Sequence, residues 1–204
     1  MGKSSQRVVV MGLGRFGGGV GVTRFLAKRG DRVLVTDQLP PDQLRQSLAQ
    51  LADLPGIEYR LGEHRIEDFT RARMVVVNPA VQPQGNPYLD AARNAGVPLT
   101  SEIRLLVSHL PLPRLRIIGV TGTAGKSTTT AMIGHILQKT HGPDRVHVGG
   151  NIGGSLLERL DRIGPDDWVV LELSSFMLEG LREDGWSPHV AVITHFAPNH
   201  LDWH

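Results

Sequence analysis

Apolar positions in this chain fall into short runs, each followed by a glycine-rich or polar break and then a helical spacing. Val8 to Met11 is continuously apolar and passes into Gly12-Leu13-Gly14-Arg15-Phe16-Gly17, after which Phe25, Leu26 and Ala27 carry a helical pattern up to Gly30. A second run, Arg32 to Thr36, ends on Asp37. The pattern then predicts a helix from about Asp42 to Ala52, a short strand near Ile57 to Leu61, and a strand Met74 to Val77 broken by Asn78-Pro79-Ala80. A helix from about Pro87 to Ala95 and a short strand in Val97-Pro98-Leu99 follow. The next helix starts at Ser101, whose hydroxyl is expected to cap it, with Glu102 in the first turn. Strands alternating with helices at this spacing predict parallel βαβ units and the α/β class.

The stretch Ser108 to Arg116, "SHLPLPRLR", carries turn and linker signals and predicts a boundary near residue 112. A second unit opens with the buried-strand run Ile117 to Val120. It continues into Thr121-Gly122-Thr123-Ala124-Gly125-Lys126-Ser127-Thr128-Thr129-Thr130 and a helix through Met132, Ile133, Ile136 and Leu137. Trp168 to Leu173 reads as an apolar strand interrupted by one charge, Glu172. Val190 to Thr194 reads as another strand, running into a tail that holds His195, His200 and His204.

Composition narrows the chemistry. The chain has no cysteine, which excludes disulfides, thiolate zinc sites and cysteine nucleophiles. No apolar stretch approaches the ~18 residues needed to cross a bilayer, and the N-terminus lacks a signal-peptide pattern, so the expected compartment is the cytoplasm, with no membrane insertion. Twenty-two basic residues against 20 acidic ones, mixed along the chain, form no nucleic-acid footprint. The 24 glycines lie well above the ordinary ~7 % without any repeat, which predicts many tight turns or close approaches of backbone to ligand.

Two of the glycine clusters follow strands and open helices, where orphan N–H groups and the helix dipole favour anions. Gly12, Gly14 and Gly17 have dinucleotide-fingerprint spacing, and Asp37 follows at the distance of a ribose-binding acid; Asp37 could equally be a turn residue before Pro40-Pro41. Gly125-Lys126-Ser127 matches the second half of a phosphate loop, with Val120 where the full motif has glycine. In such a loop, backbone N–H groups cradle a polyphosphate, Lys126 reaches the β and γ oxygens, and the Ser127 hydroxyl serves Mg2+. Glu172 inside an apolar strand is costly unless paired or bound to metal, and metal ligation competes with a helix-capping role. Spacing alone leaves the terminal histidines as either loop residues or metal ligands.

Taken in order, eight segments resemble the Mur ligase family of peptidoglycan synthesis: "VVVMGLGRFG", "VTD", "VVNPAV", "TSEIRLL", "GVTGTAGKSTTT", "GGNIGGSLL", "LELSSFMLE" and "NHLDWH". The resemblance implies a Rossmann-like parallel-sheet domain over residues 1–112 that binds a UDP-substrate. It implies a truncated P-loop-type α/β ATPase domain over 113–204, the family's further C-terminal domain being absent. It further implies an ATP-dependent ligase that joins D-glutamate to UDP-N-acetylmuramoyl-L-alanine (UDP-MurNAc-L-alanine) through an acyl phosphate, acting as a monomer with ATP and Mg2+. Gly14, Arg15, Phe16, Asp37, Gln38 and Asn78 match positions that hold the UDP-substrate, and Asn151 one that contacts its muramoyl group. Gly122, Thr123, Gly125, Lys126, Ser127 and Thr128 match the ATP loop. Ser127, Glu172 and His200 match metal-binding positions, with Lys126, Glu172 and His200 as the catalytic set.

Several positions depart from that pattern. Ala124 stands for a usual asparagine, Asn78 and Ala80 for serine and glycine around Pro79, Met177 for glutamine, Arg104 for glutamate and His195 for asparagine. Family members also run well beyond this length, so the chain is expected to be a fragment. Other readings are a non-catalytic UDP-sugar-binding module, the L-alanine-adding ligase of the same family, and a nicotinamide-dependent oxidoreductase resting on the first fingerprint alone.

Overall fold

The computed structural model describes residues 6–15, 18–111, 113, 116–199 and 201. They divide into two compact units, Met1–Glu102 and Ile103–His204. The boundary expected near residue 112 lies outside the described residues, and the helix just before it groups with the second unit.

The first unit is a five-stranded parallel sheet built from β1 (Val8–Met11), β2 (Val33–Asp37), β3 (Ile57–Leu61), β4 (Met74–Val77) and β5 (Leu99–Thr100), in the order β3-β2-β1-β4-β5. Helices α1 (Val20–Lys28), α2 (Arg45–Ala49), α3 (Ile66–Thr70) and α4 (Pro87–Asn94) make the crossovers, as parallel strands require. All residues of β1 and β2 are buried, so neither strand shows polar alternation: both sheet faces are covered. On one face Val9, Met11 and Leu34 pack with Phe69, Val75 and Leu89. Chain order reverses between β1 and β4, which opens a crevice at their C-terminal ends, where Gly12 and Asn78 lie.

The second unit is a four-stranded parallel sheet of β6 (Ile117–Thr121), β7 (Val146–Gly150), β8 (Trp168–Glu172) and β9 (Val190–Ile193), in the order β7-β8-β6-β9. Helices α5 (Glu102–His109), α6 (Lys126–His141) and α7 (Ser175–Glu183) accompany it. Ile118, Val120, Val146 and Val170 form a buried cluster under Ile133 and Leu137 of α6. The switch point falls beside β6, between β8 and β9. Among the described residues, no helix is long and apolar enough to cross a membrane.

Three expectations change. The helix expected over Asp42 to Ala52 is a 3-10 turn, Pro41–Gln43, followed by the five-residue α2, because the fully buried Leu44 breaks the helix with φ −110° as it turns inward. Ser101 does not cap α5: its hydroxyl is buried and has no hydrogen-bond partner among the described residues. Helices α3 and α7 and strand β7 are additional elements. β7 reads Val-His-Val-Gly-Gly, too short and glycine-rich to show an apolar run, and α7 is capped by Ser174, which accepts from Met177 N at 3.3 Å.

Candidate functional site

In the first unit the crevice is shaped by side chains that clasp the glycine turn after β1. Asp37, buried at the end of β2, accepts from Gly14 N at 3.0 Å through Oδ2 and from Leu39 N at 2.8 Å through Oδ1. It is therefore the turn residue that spacing allowed. Each carboxylate oxygen retains a further lone pair that can take a ligand hydroxyl. Asn78 lies across the turn: Nδ2 donates to Gly12 O at 3.0 Å and Oδ1 accepts from Ala80 N at 3.0 Å. The Ser47 hydroxyl donates to Gly14 O at 2.6 Å. Gly19, the residue before α1, packs so closely that an added Cβ would come 2.5 Å from Gly12 O, so only glycine fits. Val10, Gly12, Gly18, Gly19, Asn78 and Glu102 line a small cavity below the turn. Arg15 donates to Gln43, Gln38 is exposed just past β2, and Phe16 lies outside the described residues.

Beside Asp37, the Thr36 hydroxyl is 2.7 Å from His64 Nδ1, and the ring is set edge-on against Phe69 and Tyr88. Burial lowers the His64 pKa from the ordinary imidazole value of 6.5, against the opposing pull of the Asp37 charge.

In the second unit, β6 delivers Gly122 to Gly125 to the N-terminus of α6. Lys126 folds back over this loop, donating from Nζ to Gly122 O at 2.7 Å and Thr123 O at 3.4 Å. Ser127 and Thr128 are exposed on the first turn of α6. The segment after β9 is fastened to the same loop: Thr123 N donates to His195 O at 2.7 Å. The Thr123 hydroxyl donates to Ala197 O at 2.8 Å and accepts from Ala197 N at 3.1 Å. Both that hydroxyl and the Thr123 N–H are spent within the protein, fastening the loop to the segment after β9.

Glu172 ends β8 in register with Val120 of β6 and Gly150 of β7. It is 1 % exposed. Its Oε1 accepts from Asn151 Nδ2 at 2.9 Å, whereas Oε2 is buried with no hydrogen-bond partner among the described residues. A buried, half-paired carboxylate is the donor a divalent cation needs, so this residue fits Mg2+. His200 lies outside the described residues, and among those described no group of three or more His, Asp or Glu side chains forms a ready-made metal cage.

The structure thus brings Gly14 and Asp37 together in one unit, with Asn78 on the same turn, and Asn151 with Glu172 in the other, beside the loop that carries Lys126. Sequence reasoning missed Ser47, His64 and Thr194. Each acts on backbone or side chains distant along the chain, and none has a local sequence signal. Among the departures, Arg104 has a structural account: it donates from Nε and Nη2 to Asp184 at 2.7 and 2.6 Å and from Nη1 to Glu183 at 2.7 Å, joining α5 to the end of α7.

Comparison with known proteins adds the following. A family model described as Mur ligase MurD-like, N-terminal domain, matches residues 6–101, and one described as Mur ligase middle domain matches residues 120–204. The chain is 52 % identical over 201 residues to a protein of Roseiflexus sp. (strain RS-1) named UDP-N-acetylmuramoylalanine--D-glutamate ligase, covering 98 % of this chain and 42 % of that protein. It is 39 % identical over 202 residues to a protein of the same name from Symbiobacterium thermophilum, covering 99 % of this chain and 42 % of that protein. The chain therefore spans about two fifths of the length of these curated relatives. Among solved structures, the UDP-N-acetylmuramate:L-alanyl-gamma-D-glutamyl-meso-diaminopimelate ligase from Neisseria meningitides matches with TM-score 0.59 and 20 % identity. That match covers 97 % of this chain and 63 % of the other, a likeness of fold.

Proposed function

Because the chain belongs to the Mur ligase family, whose members are ATP-dependent amide-bond ligases, we propose that it is the UDP-substrate-binding and ATP-binding part of a ligase that adds D-glutamate to UDP-N-acetylmuramoyl-L-alanine in the cytoplasm. The observation that supports this best is Glu172, a buried carboxylate with one oxygen unpaired among the described residues, one strand away from a glycine loop that opens α6 with Lys126 and Ser127.

In this reading ATP phosphorylates the substrate carboxylate. The amine of D-glutamate then attacks the acyl phosphate, forming the amide bond and releasing inorganic phosphate. Such chemistry asks for positioning and charge neutralisation rather than a protein nucleophile. Lys126 would leave the carbonyls of Gly122 and Thr123 for the β and γ oxygens, bringing a positive charge to the group in flight. Ser127, Glu172 and His200 would hold Mg2+, which supplies charge neutralisation on the phosphate oxygens when bound. Asn151 would orient the muramoyl end while steadying Glu172 through the 2.9 Å bond. Asp37, Gln38, Arg15, Phe16 and Asn78 would hold the uridine nucleotide at the first crevice.

The test is phosphate release by the protein carrying this chain, given Mg2+, ATP and UDP-MurNAc-L-alanine, with each amino acid in turn. Stimulation by D-glutamate is expected, and stimulation by L-alanine instead would overturn the assignment. Lys126→Ala should abolish turnover while leaving UDP-MurNAc-L-alanine binding intact. UDP-substrate binding without any ATP-dependent turnover would instead make the protein a binding module.

A further inference from the structure

Resting on the reading of Gly122–Ser127 as an ATP loop, we propose that Thr194, at the end of β9, is the positioning residue that aims this loop's amides at the phosphates. Its hydroxyl has one proton and lies 2.6 Å from Ala124 O and 3.2 Å from Thr121 O, so the bond it makes is to Ala124 at the loop apex. Ala124 O and Gly125 N–H belong to one planar trans peptide and point in opposite directions. Tying the carbonyl to Thr194 therefore turns the Gly125 N–H away from β9, toward the side on which a bound anion needs donors. Were this peptide to rotate, it would present oxygen to oxygen.

Neighbouring contacts are consistent with a loop held by its carbonyls. The Gly122–Thr123 peptide is pinned at both ends, its oxygen by Lys126 and its N–H by His195 O at 2.7 Å. Thr194 N donates to Thr121 O at 3.0 Å, which anchors the threonine itself to the end of β6. A Cβ on Gly122 would overlap the Thr194 hydroxyl, so the glycine there makes room for this side chain as well as for any ligand. When Lys126 swings out to a phosphate it releases the Gly122 and Thr123 carbonyls, and the Thr194 tether on Ala124 is the one that need not be broken.

Binding of a nonhydrolysable ATP analogue with Mg2+, and separately of UDP-MurNAc-L-alanine, to the protein carrying this chain tests the idea in wild type, T194V, T194A and T194S. Valine keeps the shape and removes the hydroxyl; serine keeps the hydroxyl alone. T194V and T194A should weaken the ATP analogue about tenfold, the effect of one lost positioning hydrogen bond, with the UDP-substrate affinity unchanged and T194S within about twofold of wild type. Should T194V not fold, T194A against T194S makes the same comparison. Wild-type affinity in the variants without the hydroxyl, or a loss in T194S as large as theirs, overturns the proposal. Failure of the underlying ATP reading shows differently, as wild type that does not bind the analogue at all.

Discussion

Glu172→Gln should make the ligand-free protein more stable while removing its response to Mg2+ and ATP. The glutamine has the same shape and can keep its oxygen on Asn151 Nδ2, the 2.9 Å partner of Glu172 Oε1. What changes is Oε2, a buried carboxylate oxygen with no hydrogen-bond partner among the described residues, in a residue 1 % exposed. An unsatisfied buried polar group costs about 1–3 kcal/mol, and a charged one more. Neutralising it still leaves an unpaired amide, so the net gain is the difference, about 1 kcal/mol. For a unit of the size of Ile103–His204 that is about 4–8 °C in melting temperature. The assay is thermal denaturation at pH 7.5, once in chelator and once with Mg2+ and ATP. Wild type should melt lower in chelator and rise with the ligands, as a site that binds only the folded state requires. The variant should start higher and stay flat. A variant that melts at or below wild type in chelator would show that Oε2 is satisfied in solution, and one that still rises with Mg2+ and ATP would remove Glu172 from the metal site.

Arg104→Ala should destabilise the second unit by about 1 kcal/mol, since a bidentate pair outranks a single exposed one but Glu183 and Asp184 remain largely solvated; pairing Arg104→Glu with Asp184→Arg should recover part of the loss in urea titrations, and no recovery would mean the arginine acts by packing. Gly134 lies on the buried face of α6, where a Cβ would overlap Val148; alanine gains about 1 kcal/mol in helix propensity and loses about 1–3 in overpacking, so Gly134→Ala should be neutral to destabilising, and adding Val148→Ala should turn its effect stabilising. Acid should act in two windows. Burial holds His64 below 6.5, so the unfolded chain takes that proton first and stability falls as pH drops below about 6.5, an effect that His64→Asn should remove. Burial works against the Asp167 carboxylate, yet the Gly164 amide and the His147 ring hold it below 3.8, so its contribution is present above 3.8 and is lost as pH falls below that; Asp167→Asn should abolish the second step, and unchanged acid profiles in both variants would refute the assignments.

Strands buried on both faces were the legible part of the fold, because they read as unbroken apolar runs: β1, β2, β4, β6 and β8 all stand where those runs lie. β7 was not, since two of its five residues are glycines that carry no hydropathy signal. At the sites, glycine turns and a charge inside an apolar strand are local features, so Gly14, Asp37, Lys126 and Glu172 could be picked out one by one. The groups that set their geometry could not. Ser47 reaches Gly14 across 33 residues and Thr194 reaches Ala124 across 70, and a hydroxyl aimed at a distant carbonyl looks like any other hydroxyl in sequence. Ser101 shows the converse error: a good capping residue at a helix start, whose hydroxyl is nonetheless buried without a partner among the described residues.

The two glycine loops share a strand-loop-helix frame, yet the side chains that fasten them differ in charge, a carboxylate in one and a lysine in the other. After β1 both halves of the peptides are used: Gly12 O accepts from Asn78 Nδ2 and Gly14 O from the Ser47 hydroxyl. Among the described residues, Gly12 N donates to Thr36 O, Gly19 N to Leu13 O and Gly14 N to the Asp37 carboxylate, which stands beside the turn. That environment opposes a bare polyphosphate and suits hydroxyl-bearing groups, which can donate to the free lone pairs of Asp37. After β6 the carbonyls of Gly122 and Thr123 are taken by Lys126 and that of Ala124 by Thr194, while the Thr123 N–H is taken by His195 O. The Thr194 tether on Ala124 O turns the Gly125 N–H outward, next to a lysine that can be released to an anion. On the proposed reading, the Asp37 carboxylate of the first unit suits a sugar or base, and the releasable Lys126 of the second suits a triphosphate.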